Sequence, residues 1–486
     1  MPPARLRRVL WSAAALAVLA AAGFGATRLA WVADVGSAYF AKTLCSGLFV
    51  KGWDRGTVVK TDVLADRPWG LDTFQVHVDR ERRLVTVSVY GRLSRSALYR
   101  PGLGCTLVND TTVDELLAQA QDFDPGRTAS AEVSWPANGA DATPGYDTDK
   151  LRRAIDAAFD EPDPVNLRRT RAVVVVHRGR IVAERYAEGV GAATPLLGWS
   201  LAKTAVNALA GTLLAAGKID LDRAGLLQAW RDPGDPRAAI TIDHLLRMTS
   251  GLAFDDPTAS LLSASRAALF QRGDTAGWAA RTPSAAPPGS RWRYAGAATA
   301  ILCRVLGDAI GGPPARRFAY PRRALFDRIG MASAVLEVDA AGTFLGSAFM
   351  YASARDWARL GLLYLRDGVW DGERILPDGW VRRSLTPAPA SGGAFGASLW
   401  LKIPDFLRPE AAAPQRLPGD GFYALGQDGQ VVAMFPSRDL VVVRLGVSRR
   451  RAAWDPAAFL EQVLATFPAS GGRGRRSDYS STLSPS

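Results

Sequence analysis

"GWSLAKTAVNALAG", Gly198–Gly211, sets Ser200 three residues before Lys203 at the head of an apolar run. After the serine, Leu201, Ala205, Val206, Leu209, Leu213 and Leu214 recur with helical spacing, and Gly217 is a natural stop. Ser200 is therefore expected at a helix N-terminus, where free backbone amides favour negative charge. Lys203 shares its face of that helix. A serine hydroxyl is a poor nucleophile until a base within hydrogen-bond reach takes its proton. A lysine serves only when neutral, and burial among apolar groups disfavours the charged form. Arginine stays protonated. In a chain that otherwise prefers arginine, this one pair at Ser-to-Lys spacing points to a removable proton. A capping serine followed by a surface lysine would spell the same four letters, so the surroundings decide.

The same stretch half-matches the G-x-S-x-G elbow of another hydrolase class, with Ala202 in place of the last glycine. That chemistry needs an acid and then a histidine well downstream. The only later histidine, His244 in "ITIDHLLRMTSGL", follows closely and reads as packed at a helix start.

The 486 residues are 48% hydrophobic and 22% charged, enough apolar material for more than one core. The formal charge of +12 is spread as single arginines with short runs only at the ends. Without a basic stripe and interleaved aromatics, the charge reads as solvated surface, and nucleic acid is not an expected partner.

At the start, a basic end over residues 1–8 with Arg5, Arg7 and Arg8 precedes an apolar segment over 9–33, interrupted by Arg28. A membrane span needs roughly 20 residues. The reading is an uncleaved anchor, with a signal cleaved after Ala38 as the alternative. Basic residues stay inside, so the body should lie on the periplasmic, extracytoplasmic side of the inner membrane, in single-pass topology. Export makes a Cys45–Cys105 bridge plausible chemistry, against two free buried thiols; closing a loop of about 60 residues, it would contribute roughly 4 kcal/mol in the chain-entropy model. Cys303, in a helical apolar pattern, reads as core. No Cys and His cluster has zinc spacing, so neither a metal nor an organic cofactor is expected.

A small extension follows over 34–126. "TFQVHVD" and "LVTVSVY" alternate strictly around a charged turn and read as a hairpin with one buried face, His77 pointing away from it. Residues 127–150 read as a linker and 468–486 as a disordered tail. The large unit spans 151–467. It opens with a helix over 151–159 and the hairpin "RAVVVVHRGRIVAERYA", whose turn holds His177, and it closes with the hairpin "GQVVAMFPSRDLVVVRLG". Helical segments lie between, among them "SARDWARLGLLYLRDG", capped by Ser353 with Asp356. Strands at both ends and helices between predict an α+β fold around an antiparallel sheet.

"SLAK", "TIDHLLRMTSGL", "RWRYAGAATAILCRVLG", "YASARDWARLGLLYLRDGVWDGERILPDGWV" and "YALGQDGQVVAMFPSRDLVVVRLG" follow one another as in serine β-lactamase-like hydrolases. The resemblance is closest to the class C β-lactamase and 6-aminohexanoate-dimer hydrolase branch, and covers about 151–467. It implies an antiparallel sheet flanked by helices with a largely helical second lobe. "KTLCSGLFVKG" and "ALYRPGLGCTL" also resemble an extension of exported members, in support of the Cys45–Cys105 pairing.

By the same resemblance Ser200 is the acylated nucleophile, Lys203 its proton acceptor, and Tyr294 the phenol that carries a proton to the leaving group. "GQDG" matches the third motif, which makes Gln427, Asp428 and Gly429 substrate-binding positions and adds the Gln430 N–H to that of Ser200 as the oxyanion hole. Trp199, Trp292 and Tyr423 are candidate cleft walls. Two departures bear on specificity. Gly296 replaces a common asparagine and Gln427 a common cation, both of which argue against efficient penicillin recognition. The expectation is an exported, membrane-anchored serine hydrolase acting on a small or peptide-like amide or ester. The alternative is a catalytically weak module of the same fold that binds a peptide or cell-wall fragment.

Overall fold

The computed structural model describes residues 4–64, 73–91, 93–126, 135, 145–254 and 263–467, with the side chains at 4–10, 12–22 and 264–266 outside that description. The tail at 468–486 and nearly all of the expected linker before Gly145 fall outside the described residues.

A five-stranded antiparallel sheet organises the large unit. Its order is Phe422–Gly426, Gln430–Phe435, Leu440–Gly446, Thr170–His177 and Arg180–Tyr186, so the last strand in sequence pairs with the first. Val173, Val174 and Val175 face Arg444, Val443 and Val442 across that join. Val173 to Val176 are all buried, which requires cover on both faces of the sheet. The helix Ala354–Leu365 packs on the central strands, and Thr148–Phe159 packs on the Thr170–Tyr186 hairpin. His177 ends its strand stacked between Tyr146 and Phe467, ring centroids 5.8 and 4.8 Å away, rather than solvated in a turn. The second lobe is helical, built around Ala202–Ala215 and Gly296–Ile310. Every residue of the first of these from Ala202 to Leu213 is buried. The helix ends as the glycine predicts, with Gly217 at φ 63°.

A three-stranded sheet, Leu196–Leu197, Met350–Ala352 and Val335–Leu336, joins the lobes beside the Ser200 turn. Its long connection, residues 337–349, passes under that turn.

The N-terminal unit is a helix, Ala4–Phe49, laid on a four-stranded meander. The predicted hairpin is present, with Val76 opposite Val87, and His77 is exposed. Cys45 and Cys105 form a disulfide. The segment expected as an anchor lies in a longer helix. The helix does not stop near residue 33: it continues to Phe49, burying Val35, Ala38, Phe40 and Leu44 against the meander and the hydrolase lobe. Trp31 donates to Gln271, and Asp34 pairs with Arg95. Among the described residues no helix is long and apolar enough to cross a membrane, and most side chains of the expected span at 9–33 lie outside the description.

Candidate active site

Ser200 sits in a short 3-10 turn, Trp199–Leu201, that runs into the helix Ala202–Ala215. One turn on, Lys203 is 3% exposed and donates from Nζ to Ser200 Oγ at 3.0 Å and to the Ser347 carbonyl at 2.6 Å. The same nitrogen lies 5.1 Å from the centroid of the Tyr294 ring. That ring is fixed by Trp400 and Phe395, with centroids at 5.2 and 5.8 Å. The lysine is thus aimed by a carbonyl, a hydroxyl and an aromatic face. Ser200, Lys203 and Tyr294 all line one cavity of about 370 Å³.

The backbone around the serine is tightly held. Trp199 adopts φ 49°, uncommon for a bulky aromatic. Its indole donates to Asp428 Oδ2 at 3.0 Å, and that carboxylate is paired with Arg449 at 3.0 Å. Opposite, the strand Phe422–Gly426 is the outermost strand of the main sheet, bridged on its outer side by Trp400 at Tyr423. A Cβ on Gly426 would lie 2.4 Å from the Gly198 carbonyl, so only glycine permits this approach. Arg444, fully buried, holds the following turn by donating to the carbonyls of Asp428 and Gly429. Burial pushes this guanidinium down to about 9.

Trp199, Gln427, Asp428 and Gly429 line the cavity as the motifs predict. Asp428 is a brace rather than a free carboxylate, since Trp199 and Arg449 occupy it. Gln430 differs from expectation. It opens an interior strand, flanked on one side by Gly426 and on the other by Gly446, to which its side-chain amide both donates and accepts. An interior strand points its N–H groups at neighbouring strands. Gln427, the first residue of the turn that follows the edge strand, lines the cavity together with Ser200. Trp292 and Tyr423 are also not cavity walls: Trp292 packs on Phe395 and Trp400, and Tyr423 is buried against Phe435. Trp278, Trp400, Phe406 and Trp454 line the cavity instead.

His244 accepts at a helix start in a capping box with Thr241 and does not border the cavity. The Ser347 carbonyl carries no sequence signal, being backbone. Among the described residues no group of His, Cys, Asp and Glu is placed to hold a metal ion.

Residues 165–457, more than half of the chain, match the family model of the beta-lactamases. The chain belongs to the beta-lactamase family. Among solved structures, a Bacteroides dorei protein assigned as a beta-lactamase superposes with a TM-score of 0.51 at 16% identity, over 66% of this chain and 99% of its own. A Bacillus anthracis protein assigned as a 6-aminohexanoate-dimer hydrolase matches at 23% identity over 62% of this chain and 78% of its own, with a TM-score of 0.49. A penicillin-binding protein from Bacillus halodurans matches at 18% identity over 65% and 100%, with a TM-score of 0.46. No curated protein matches. The beta-lactamase fold confirms the expected α+β architecture, and the family is one of serine hydrolases of amides and esters.

Proposed function

We propose that this beta-lactamase family member cleaves esters or amides bearing an apolar group, through an acyl-Ser200 intermediate. The observation that carries this reading is the 3.0 Å contact from Lys203 Nζ to Ser200 Oγ in a largely apolar cavity. Lys203 Nζ accepts the Ser200 proton as Oγ bonds to the substrate carbonyl carbon. The resulting oxyanion is held by the Ser200 N–H and by the backbone N–H of Gln427, which lines the cavity directly after Gly426, the strand residue packed on the Gly198 carbonyl. As the carbonyl re-forms and the bond to the leaving group breaks, the phenol of Tyr294 gives its proton to the departing alcohol or amine and takes one back from Lys203. Water then adds its hydroxyl to the acyl carbon as the ester bond to Oγ breaks, and its other proton returns to Oγ, releasing the acid and restoring Ser200.

A fluorophosphonate probe should label Ser200, and Ser200→Ala should abolish the label; equal labelling of the variant would sink the assignment. Well-folded chain that binds ester or amide analogues without turning any over would favour the binding module instead.

The walls support the apolar preference. Trp278, Ala297, Ala300, Trp400, Phe406 and Trp454 enclose the space beside Ser200. A p-nitrophenyl octanoate should exceed the acetate in kcat/KM by at least about tenfold, a modest share of roughly 0.8 kcal/mol per buried methylene. Ala300→Phe should shrink that ratio. An acetate preference untouched by this substitution would refute the apolar site. Export to an oxidising compartment belongs to the same proposal, supported by the Cys45–Cys105 bridge, and so does attachment to the membrane through the basic and apolar N-terminal sequence. Cell fractionation with a C-terminal tag tests both.

A further inference from the structure

We propose that the N-terminal unit is a working part of the active site, and that Glu337 is the positioning residue through which it aims Lys203. This goes beyond the hydrolase reading and rests on it for its assay.

Glu337 is fully buried in the hydrolase lobe, yet its carboxylate is occupied by the N-terminal unit. Oε1 accepts from Ser46 Oγ at 2.8 Å and from the Cys105 N–H at 2.7 Å. Oε2 pairs with Lys42, which is 1% exposed and also donates to the Cys105 carbonyl. Two of these contacts fall on one half of the disulfide. Gly104, beside it, has φ 65°, and a Cβ there would lie 2.5 Å from Glu337 Oε1. The backbone of the N-terminal unit is therefore shaped around this carboxylate.

The other end of Glu337 leads to the nucleophile. Its N–H donates to the Phe349 carbonyl at 2.9 Å, and its carbonyl accepts from Leu345 at 2.8 Å. Those two bonds close the connection that carries Ser347, whose carbonyl accepts from Lys203. A shift of Glu337 moves that carbonyl, and with it the Lys203 Nζ that touches Ser200. A second tie runs in parallel. Arg449, paired with Asp428 beside Trp199, also donates to the Asp62 carbonyl at 2.6 Å and to Tyr39 Oη at 3.2 Å.

A buried ion pair is a weak device for stability, because desolvation opposes the attraction and an apolar pair of the same volume often holds a core as well. Its distinctive property is orientation. A carboxylate that takes three donors from one unit while its backbone closes a loop of the other fixes both in one register.

The test uses the full chain with Glu337→Gln, Lys42→Met, the double variant, and Ser46→Ala. Titration of Ser200 by fluorophosphonate counts competent sites, and kcat and KM on an aryl ester are then expressed per site. Each change at 42 or 337 alone should lower kcat per site by about tenfold or more, as expected for sub-ångström misplacement of a reacting group, with KM within about threefold. The double variant, which leaves no unpaired buried charge, should recover stability while its kcat per site stays low, because the orienting pair is gone. Ser46→Ala removes one hydrogen bond from a small site and keeps the result readable if the single charge variants do not fold; kcat per site should fall by about threefold. Fewer titratable sites that each turn over at the parental kcat, or an unchanged kcat in folded Ser46→Ala, would overturn the proposal by reducing Glu337 to a stability role. A parent chain that neither labels nor turns over would instead overturn the hydrolase reading.

Discussion

Lys203 Nζ touches the Ser200 hydroxyl and the Ser347 carbonyl and lies over the Tyr294 ring, and in acylation the proton it takes is that of Ser200. Its role as a base separates from a role as a fixed cation by one substitution. Lys203→Arg keeps the positive charge, but a guanidinium does not accept the serine proton at working pH. The expected loss in kcat/KM is about 10²–10⁴-fold, the usual contribution of a general base. Equal thermal midpoints for the two proteins show that the loss is chemical. Activity within a few-fold of the parent would remove the proton-accepting role.

Elements set the limits within which such a residue can act. The connection through residues 337–349 presses on the nucleophile helix at Gly346, where a Cβ would lie 2.4 Å from Val206 Cγ2 and 2.7 Å from Cys303 Sγ. Val206 is on the helix that carries Lys203, and Cys303 is a buried free thiol pushed up to about 12 by burial. Gly346→Ala should therefore cost about 1–3 kcal/mol by overpacking, read from urea unfolding. It should also lower kcat, because Ser347 is the next residue. Adding Val206→Ala relieves the closer of the two contacts and should restore part of both. Persistence of the kcat loss in the double variant, once stability has returned, would show that the contact with Val206 is not what disturbs the site.

At the scale of the molecule, the two units are joined by buried charge. Asp62 of the N-terminal unit pairs with Lys51 and with Arg171, which lies on the first strand of the main sheet. Burial alone would raise this carboxyl. The two cations outweigh burial and hold it well below the usual aspartate range. One carboxylate shared by two cations leaves Lys51 the disfavoured member, and burial and Arg171 push it down to about 8 despite Asp62. The sign for Asp62 follows from its depressed value: the unfolded chain binds the proton more readily, so stability rises with pH in that range. Its contribution is complete above about pH 4, the ordinary aspartate value, and is lost as pH falls through the folded value. The thermal midpoint should drop on acidification below about pH 4, and Asp62→Asn should flatten this part of the curve while lowering the plateau. An unchanged acid slope in Asp62→Asn would assign the acid sensitivity to other carboxylates.

Local pattern carried much of this protein. Alternation in 74–89, and β-rich runs on either side of a turn in 170–186 and 430–446, read correctly as hairpins because strand period and turn chemistry are properties of neighbouring residues. The spacing of Ser200 and Lys203 read correctly as one helix face for the same reason. The N-terminal helix was legible as apolar but not as continuing past residue 33, because burial against a distant sheet supplies the signal that a span would supply. Arginines counted as solvated surface include the fully buried Arg444, whose carbonyl partners come from segments far apart in sequence. Trp292 and Tyr423 stand beside motifs and yet belong to the core. Which strand lies at the sheet's edge, and hence whether Gln427 or Gln430 lines the cavity, depends on pairing between distant segments. The Ser347 carbonyl and the clasp on Glu337 were out of reach of any pattern. A backbone oxygen has no letter of its own, and a carboxylate's partners are chosen only when two separately closed parts of the chain are packed together.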